Sequence, residues 1–222
     1  MKTQLIKDIL VSEPDGRLVT ICGWVRTKRD SKNLCFIQVN DGSCFATIQL
    51  TFDRENANPN NENIENTLPN VTTGASIKAT GKLIPSPASG QAVEVALETL
   101  EVLGVSPSDY PLQKKGHTVE FLRENSHLRA RTNMFGAVAR MRSEMAFAVH
   151  SFFQEKGFFY FNAPLITCSD CEGAGEMFRV TTLDLNNVPK TEEGKVDYSK
   201  DFFGKETSLT VRLAFFPKKS LL

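Results

Sequence analysis

Residues 23–43 read GWVRTKRDSKNLCFIQVNDGS, crowding Arg26, Lys28, Arg29 and Lys32 beside a run that carries Phe36. Cations near phosphates, with an exposed ring on which an unpaired base stacks, are how a protein holds a single-stranded nucleic-acid loop. The same residues are equally consistent with Phe36 in a core and four solvated cations, and the pattern leaves both readings open. Further on, Cys168-Ser-Asp-Cys171 is a CxxC pair, but zinc takes four ligands and no second pair of suitable spacing follows. Two free thiols in a loop are the plainer account. Residues 169–176 read SDCEGAGE, with two glycines around a small residue that leave the backbone free to move. Its glutamates would also suit a solvated turn. His117, His127 and His150 lie in no Ser or Cys motif that would make a nucleophilic triad recognisable, and neither GxxxxGK[ST] nor GxGxxG occurs.

The elements that must position these residues change character once along the chain. Residues 17–29, 33–41, 44–51, 75–84 and 92–105 are short runs rich in Val, Ile, Phe and Thr with partial alternation, which predicts five strands. NDGS at 40–43 and PSPASG at 85–90 supply turn chemistry between them. Within the polar stretch 53–70, only residues 62–68 suit a short helix. Five strands with a helical insertion after the third fit a small Greek-key barrel of the OB type, although strand number alone leaves other barrels open. From Thr132 the period becomes helical: Met134, Val138, Met141, Met145, Ala148 and Phe152 recur at three and four residues, with Thr132 or Asn133 as N-cap and Gly157 as the stop. The run FFYFNAPLIT then suggests a strand that ends, or lies at an edge, at Pro164. Residues 106–131, with Pro107 and Pro111, read as a hinge. The fold class expected is α+β.

Composition bounds the function classes. With 222 residues, 41% apolar and 23% charged, the chain is ordinary for a globular protein with a real core. Lys+Arg and Asp+Glu are both 26, so any nucleic-acid partner must be met by a local patch. No apolar run approaches the roughly 18 residues of a membrane span, and residues 1–11 lack a signal-peptide stretch. Five cysteines at irregular positions argue for reduced thiols and a cytoplasmic location.

Gly23-Trp24-Val25-Arg26 with Phe36 and Asp41-Gly42, the segment HLRARTNMFGAVARMRSEMAFAVHSFFQEKGFFYFNAPLITCSDCEGAGEMFRVTTLD, and TEEGKVDYSKDFFGK resemble the bacterial-type asparaginyl-tRNA synthetases. The resemblance covers residues 11–211, and the run around CEGAGEMF separates it from the related aspartyl and lysyl enzymes. It implies a class II synthetase: an OB-fold anticodon-binding domain at 1–105, a hinge at 106–131, and part of an antiparallel-sheet catalytic domain at 132–211. Arg29, Phe36 and Gln49 would then contact the anticodon, Phe36 stacking on a splayed base while Arg29 and Gln49 bond to base edges. Helix and strand after Thr132 resemble motif 1, which builds a homodimer interface, with Pro164 in a structural role. Ser169, Asp170, Cys171, Glu172, Gly173, Ala174, Gly175 and Glu176 resemble the lid over the amino acid, Glu172 offering its carboxylate to the α-ammonium of asparagine.

The implied reaction uses ATP and Mg2+ to make asparaginyl-adenylate and then charges the tRNA for asparagine; neither DNA nor a membrane is implied. Resemblance is lost after SLTV, where the family continues with SGQL and the ATP-binding motifs 2 and 3, whereas this chain reads RLAFFPKKSLL. Residues 212–222 are therefore expected to be an aberrant or truncated end, and a chain inactive alone is expected. A tRNA-binding module without catalysis, or a fragment of an aspartyl-type synthetase, is the alternative.

Overall fold

In the computed structural model the described residues are 2–56, 58–88, 90–162, 164–169, 177–210 and 215–217. The chain divides into two compact units, Met1–Ala139 and Arg140–Leu222.

In the first unit, strands β1 (Leu18–Asp30), β2 (Leu34–Asn40), β3 (Ile48–Asp53), β4 (Ser76–Pro85) and β5 (Val93–Gly104) form a closed barrel in the order β1-β2-β3-β5-β4. The expected five strands are present, and helix α2 (Asn61–Thr67) follows the third as anticipated. Every neighbouring pair is antiparallel except β3 with β5, whose short parallel contact sets Leu50 against Val95 and Thr51 against Ala96. Alternation sends Ile77, Ala79 and Leu83 of β4 inward while Lys78 and Lys82 stay at the surface.

Two features of the barrel differ from the sequence expectation. Residues 44–47 are not strand; β3 begins at Ile48. A short helix α1 (Ile6–Leu10) was not anticipated, because two isoleucines three residues apart are too little periodicity to announce it. Ile6 and Ile9 are wholly buried in the barrel core, each contributing about 1.5–3 kcal/mol by leaving water. Asp41, in the NDGS stretch expected to serve only as a turn, accepts the Ile6 N–H at 2.8 Å and the Ser43 N–H at 2.9 Å. Burial would raise the Asp41 pKa, but the hydrogen bonds from Ser43 and Ile6 outweigh it and hold the carboxyl below its ordinary value.

β1 carries a bulge. Val25 pairs with Val39 and Thr27 with Gln38, leaving Arg26 as the extra residue. Val25 points into the core, so strict alternation would turn Thr27 and Arg29 inward as well. The inserted residue reverses the phase and puts both on the outer face opposite Gln38 and Phe36. Arg54 then braces this end of the barrel: it pairs with Glu65 of α2, meets Asp30 at 2.9 Å and donates to the Ser31 carbonyl at 2.7 Å.

Helix α3 (Val119–Glu124) follows in the same unit, its N-terminus capped by the Thr118 hydroxyl, which accepts the Phe121 N–H. Helix α4 (Asn133–Glu155) starts where the sequence placed it, and Gly157, at φ +80°, follows its end.

In the second unit, β6 (Phe158–Tyr160) pairs antiparallel with β10 (Phe215–Pro217), and β7 (Ile166–Thr167), β8 (Arg179–Val180) and β9 (Thr207–Leu209) form a sheet in the order β7-β9-β8. Asp201 locks the chain after β8. Its carboxylate accepts the Thr181 hydroxyl at 2.6 Å, the Thr182 N–H at 2.9 Å, the Thr182 hydroxyl at 2.8 Å and the Phe202 N–H at 2.7 Å. The Thr181 hydroxyl leads these bonds in holding the carboxyl far below its ordinary pKa, so the clamp is intact at any pH above the usual carboxylate range.

Where β4 crosses β5, a Cβ on Gly81 would overlap the Ala96 carbonyl. Gly81→Ala is expected to destabilise the barrel by about 1–3 kcal/mol through overpacking, read as a lower denaturant midpoint.

Candidate nucleic-acid interface

The bulge and the alternation of β2 build one outward row. Cys35, Ile37 and Val39 are fully buried, whereas Phe36 and Gln38 are half-buried on the opposite face. Phe36 lies directly across from Arg29 on β1 and from Thr51 on β3, and Gln38 lies between Thr27 and Gln49. Phe36 therefore belongs to the barrel's surface, and the structure brings Arg29, Phe36 and Gln49 onto one face.

The cations of this hairpin divide by use. Arg26 donates to the Arg131 carbonyl at 2.6 Å and Lys28 to the Leu68 carbonyl at 2.7 Å, so both serve the fold. Arg29 is exposed opposite Phe36, and Lys32 is exposed in the turn between β1 and β2. Of four candidate phosphate or base contacts, these two are not spent on a backbone carbonyl.

Gln49 is only 7% exposed, and its setting reveals a residue that sequence reasoning missed. The Gln49 side-chain N–H donates to Glu94 at 3.1 Å. The same Glu94 oxygen accepts from Ser86 at 3.1 Å and Gln91 at 3.3 Å. An ionised carboxylate only accepts, so it turns the Gln49 nitrogen toward itself and leaves the amide carbonyl and one N–H for another partner. Glu94 comes from β5, 45 residues along the chain, and reaches Gln49 through the parallel β3–β5 contact. No local motif could have indicated it.

Of the residues expected around the amino acid, Ser169 is exposed after β7. Asp170, Cys171, Glu172, Gly173, Ala174, Gly175 and Glu176 lie outside the described residues. Pro164 is exposed just before β7. Among the described residues no three His, Cys, Asp or Glu side chains converge as a metal site. No described helix is long and apolar enough to cross a membrane.

Comparison with known proteins accords with this layout. Residues 19–103 match the family model of an OB-fold nucleic acid binding domain, and residues 118–192 that of the class II tRNA synthetases (D, K and N). The chain thus carries an OB-fold domain followed by the start of a class II synthetase domain. Within that class it is similar to asparagine–tRNA ligases: it is 56% identical over 216 residues to that of Treponema denticola and 55% identical over 214 residues to that of Cytophaga hutchinsonii. These alignments cover 93% and 95% of this chain and 45% of each relative, so the chain spans less than half the length of the curated relatives it matches. The asparaginyl-tRNA synthetase of Pyrococcus horikoshii complexed with asparaginyl-adenylate has the same fold, with a TM-score of 0.72 at 18% identity, covering 96% of this chain and 43% of that one.

Directly behind the outward row, Cys35 is fully buried, and burial followed by the nearby Asp30 charge pushes its thiol up to about 11. At neutral pH a thiol reagent should label the exposed Cys168 and spare Cys35 until denaturant opens the barrel, as read by mass spectrometry. Labelling of Cys35 in the native protein would mean that the inner face behind Phe36 is not closed.

Proposed function

We propose that these 222 residues supply the tRNA grip of an asparagine–tRNA ligase, and that the outer face of β1, β2 and β3 reads the anticodon of the tRNA for asparagine. The observation that carries this reading is the single row in which Phe36 stands between Arg29 and Thr51, next to a Gln49 amide oriented by Glu94. An anticodon loop presents unpaired bases. Phe36 offers one of them a stacking surface, and Arg29 brings a guanidinium to base-edge or phosphate oxygens. Gln49 presents a carbonyl and an N–H in fixed orientation, which selects a base edge by its donor and acceptor pattern.

In the second unit, Glu172 of the lid takes the α-ammonium of asparagine in this reading. Motif 1 lends the homodimer its surface. Support for the dimer comes from α4, none of whose 23 residues is buried, and from Met141, Met145 and Phe152, which are more than half exposed along one side. An apolar row of that length is stabilised by a partner. ATP and Mg2+ would be held by the residues of motifs 2 and 3, which this sequence does not contain; the reaction as a whole proceeds in the cytoplasm, where tRNA is charged.

Binding of a fluorescent anticodon stem-loop of the tRNA for asparagine tests the proposal. Phe36→Ala should weaken it by roughly 1–3 kcal/mol while leaving the thermal midpoint nearly unchanged, because the ring is outside the core. Equal affinity in wild type and variant would return Phe36 to a packing role. The purified 222-residue chain should also show no asparagine-dependent exchange of pyrophosphate into ATP. Clear turnover would overturn the division of binding and activation drawn above.

A further inference from the structure

The first unit holds a second concavity, which meets the outer face of the barrel only at Thr27 and Gln38. Its volume is about 730 Å³, within the roughly 300–1,000 Å³ of small-molecule sites. Four cations line it, Arg26, Lys114, Lys115 and Arg131, and no Asp or Glu does among the described residues. In a chain whose formal net charge is zero, that is a strong local excess. Helix α4 adds to it. Asn133 and Met134 of its first turn line the concavity, and first-turn N–H groups lack intrahelical partners and favour anions. Thr132, placed to cap them, turns its hydroxyl instead to the Arg129 carbonyl at 2.7 Å.

The same wall offers flat surfaces. The Arg131 guanidinium lies over the Trp24 ring at 4.5 Å, and its backbone carbonyl is bonded to Arg26, which ties residue 131 to β1. An aromatic ring with a guanidinium stacked on it is a platform for a heterocyclic base. A phosphodiester strand would bring one negative charge per nucleotide to such a pocket. Lys114 and Lys115, with Arg26 and Arg131 on the same wall and a helix N-terminus beside them, match the several charges that a polyphosphate carries on one small molecule.

We propose that this cleft binds a free nucleoside polyphosphate, its base against the Arg131–Trp24 stack and its phosphates between Lys114, Lys115 and the start of α4. The site is independent of the anticodon reading and stands or falls without it. Trp24 is the only tryptophan in the chain, so its emission reports occupancy directly. Titrating the 222-residue protein with GTP should change Trp24 fluorescence saturably, and the double variant Lys114→Ala/Lys115→Ala should weaken the response by about tenfold or more. Both lysines are exposed, so their removal leaves the barrel folded. Arg131→Ala should weaken GTP binding independently, and Phe36→Ala should leave it unchanged. A Trp24 signal with the anticodon stem-loop but none with GTP would overturn the proposal, as would a GTP response of equal affinity in the lysine double variant.

Discussion

The short parallel pairing of β3 with β5 is the contact on which the rest of the first unit depends. It closes the sheet, so no strand of the barrel presents an unpaired edge that could recruit another chain. It also fixes what lies on the outer face. Without it Glu94 would sit on a strand remote from Gln49, and the amide would be free to rotate. With it, a buried carboxylate stands at the back of the outward row, and three side-chain donors share one of its oxygens. A hydrogen-bonded cluster of that kind gives the surface above it a defined donor and acceptor pattern.

Much of the barrel was legible because its strands alternate. Ile77, Ala79 and Leu83 announce β4, and Cys35, Ile37 and Val39 announce β2, but which side Phe36 takes stayed open in the sequence until its pairing with Arg29 set it on the outer face. What escaped was whatever rests on contacts distant in sequence. Helix α1 is specified by the barrel core that receives Ile6 and Ile9, and by Asp41, 35 residues away, rather than by any helical signal of its own. Glu94 reads as one more outward strand residue until β5 is laid beside β3. The role of each cation was also hidden, since nothing in the run Arg26, Lys28, Arg29, Lys32 tells which will reach a backbone carbonyl and which will stay in water. The resemblance to a known family named Arg29, Phe36 and Gln49, and the strand pairing brings those three onto one face.

The two units meet water differently. The first hides a continuous core, and Thr20 and Thr80 share a hydrogen bond at 2.9 Å. The second owes its local order to polar locks such as the four-donor clamp on Asp201, while α4 leaves large apolar side chains exposed. Cores are built from apolar burial, and a unit that relies on polar clamps while exposing methionines and phenylalanines is one whose surface is suited to association.

The single extra residue at Arg26 has a further implication for how this gene tolerates change. Losing the Arg26 codon would leave Val25 opposite Val39 and Thr27 opposite Gln38 in unbroken alternation, so Arg29 would still stand beside Phe36. What would go is the side chain that reaches the Arg131 carbonyl. A deletion here should thus spare the outward row and loosen the tie between β1 and residue 131, whereas a residue added between Thr27 and Arg29 would turn Arg29 inward.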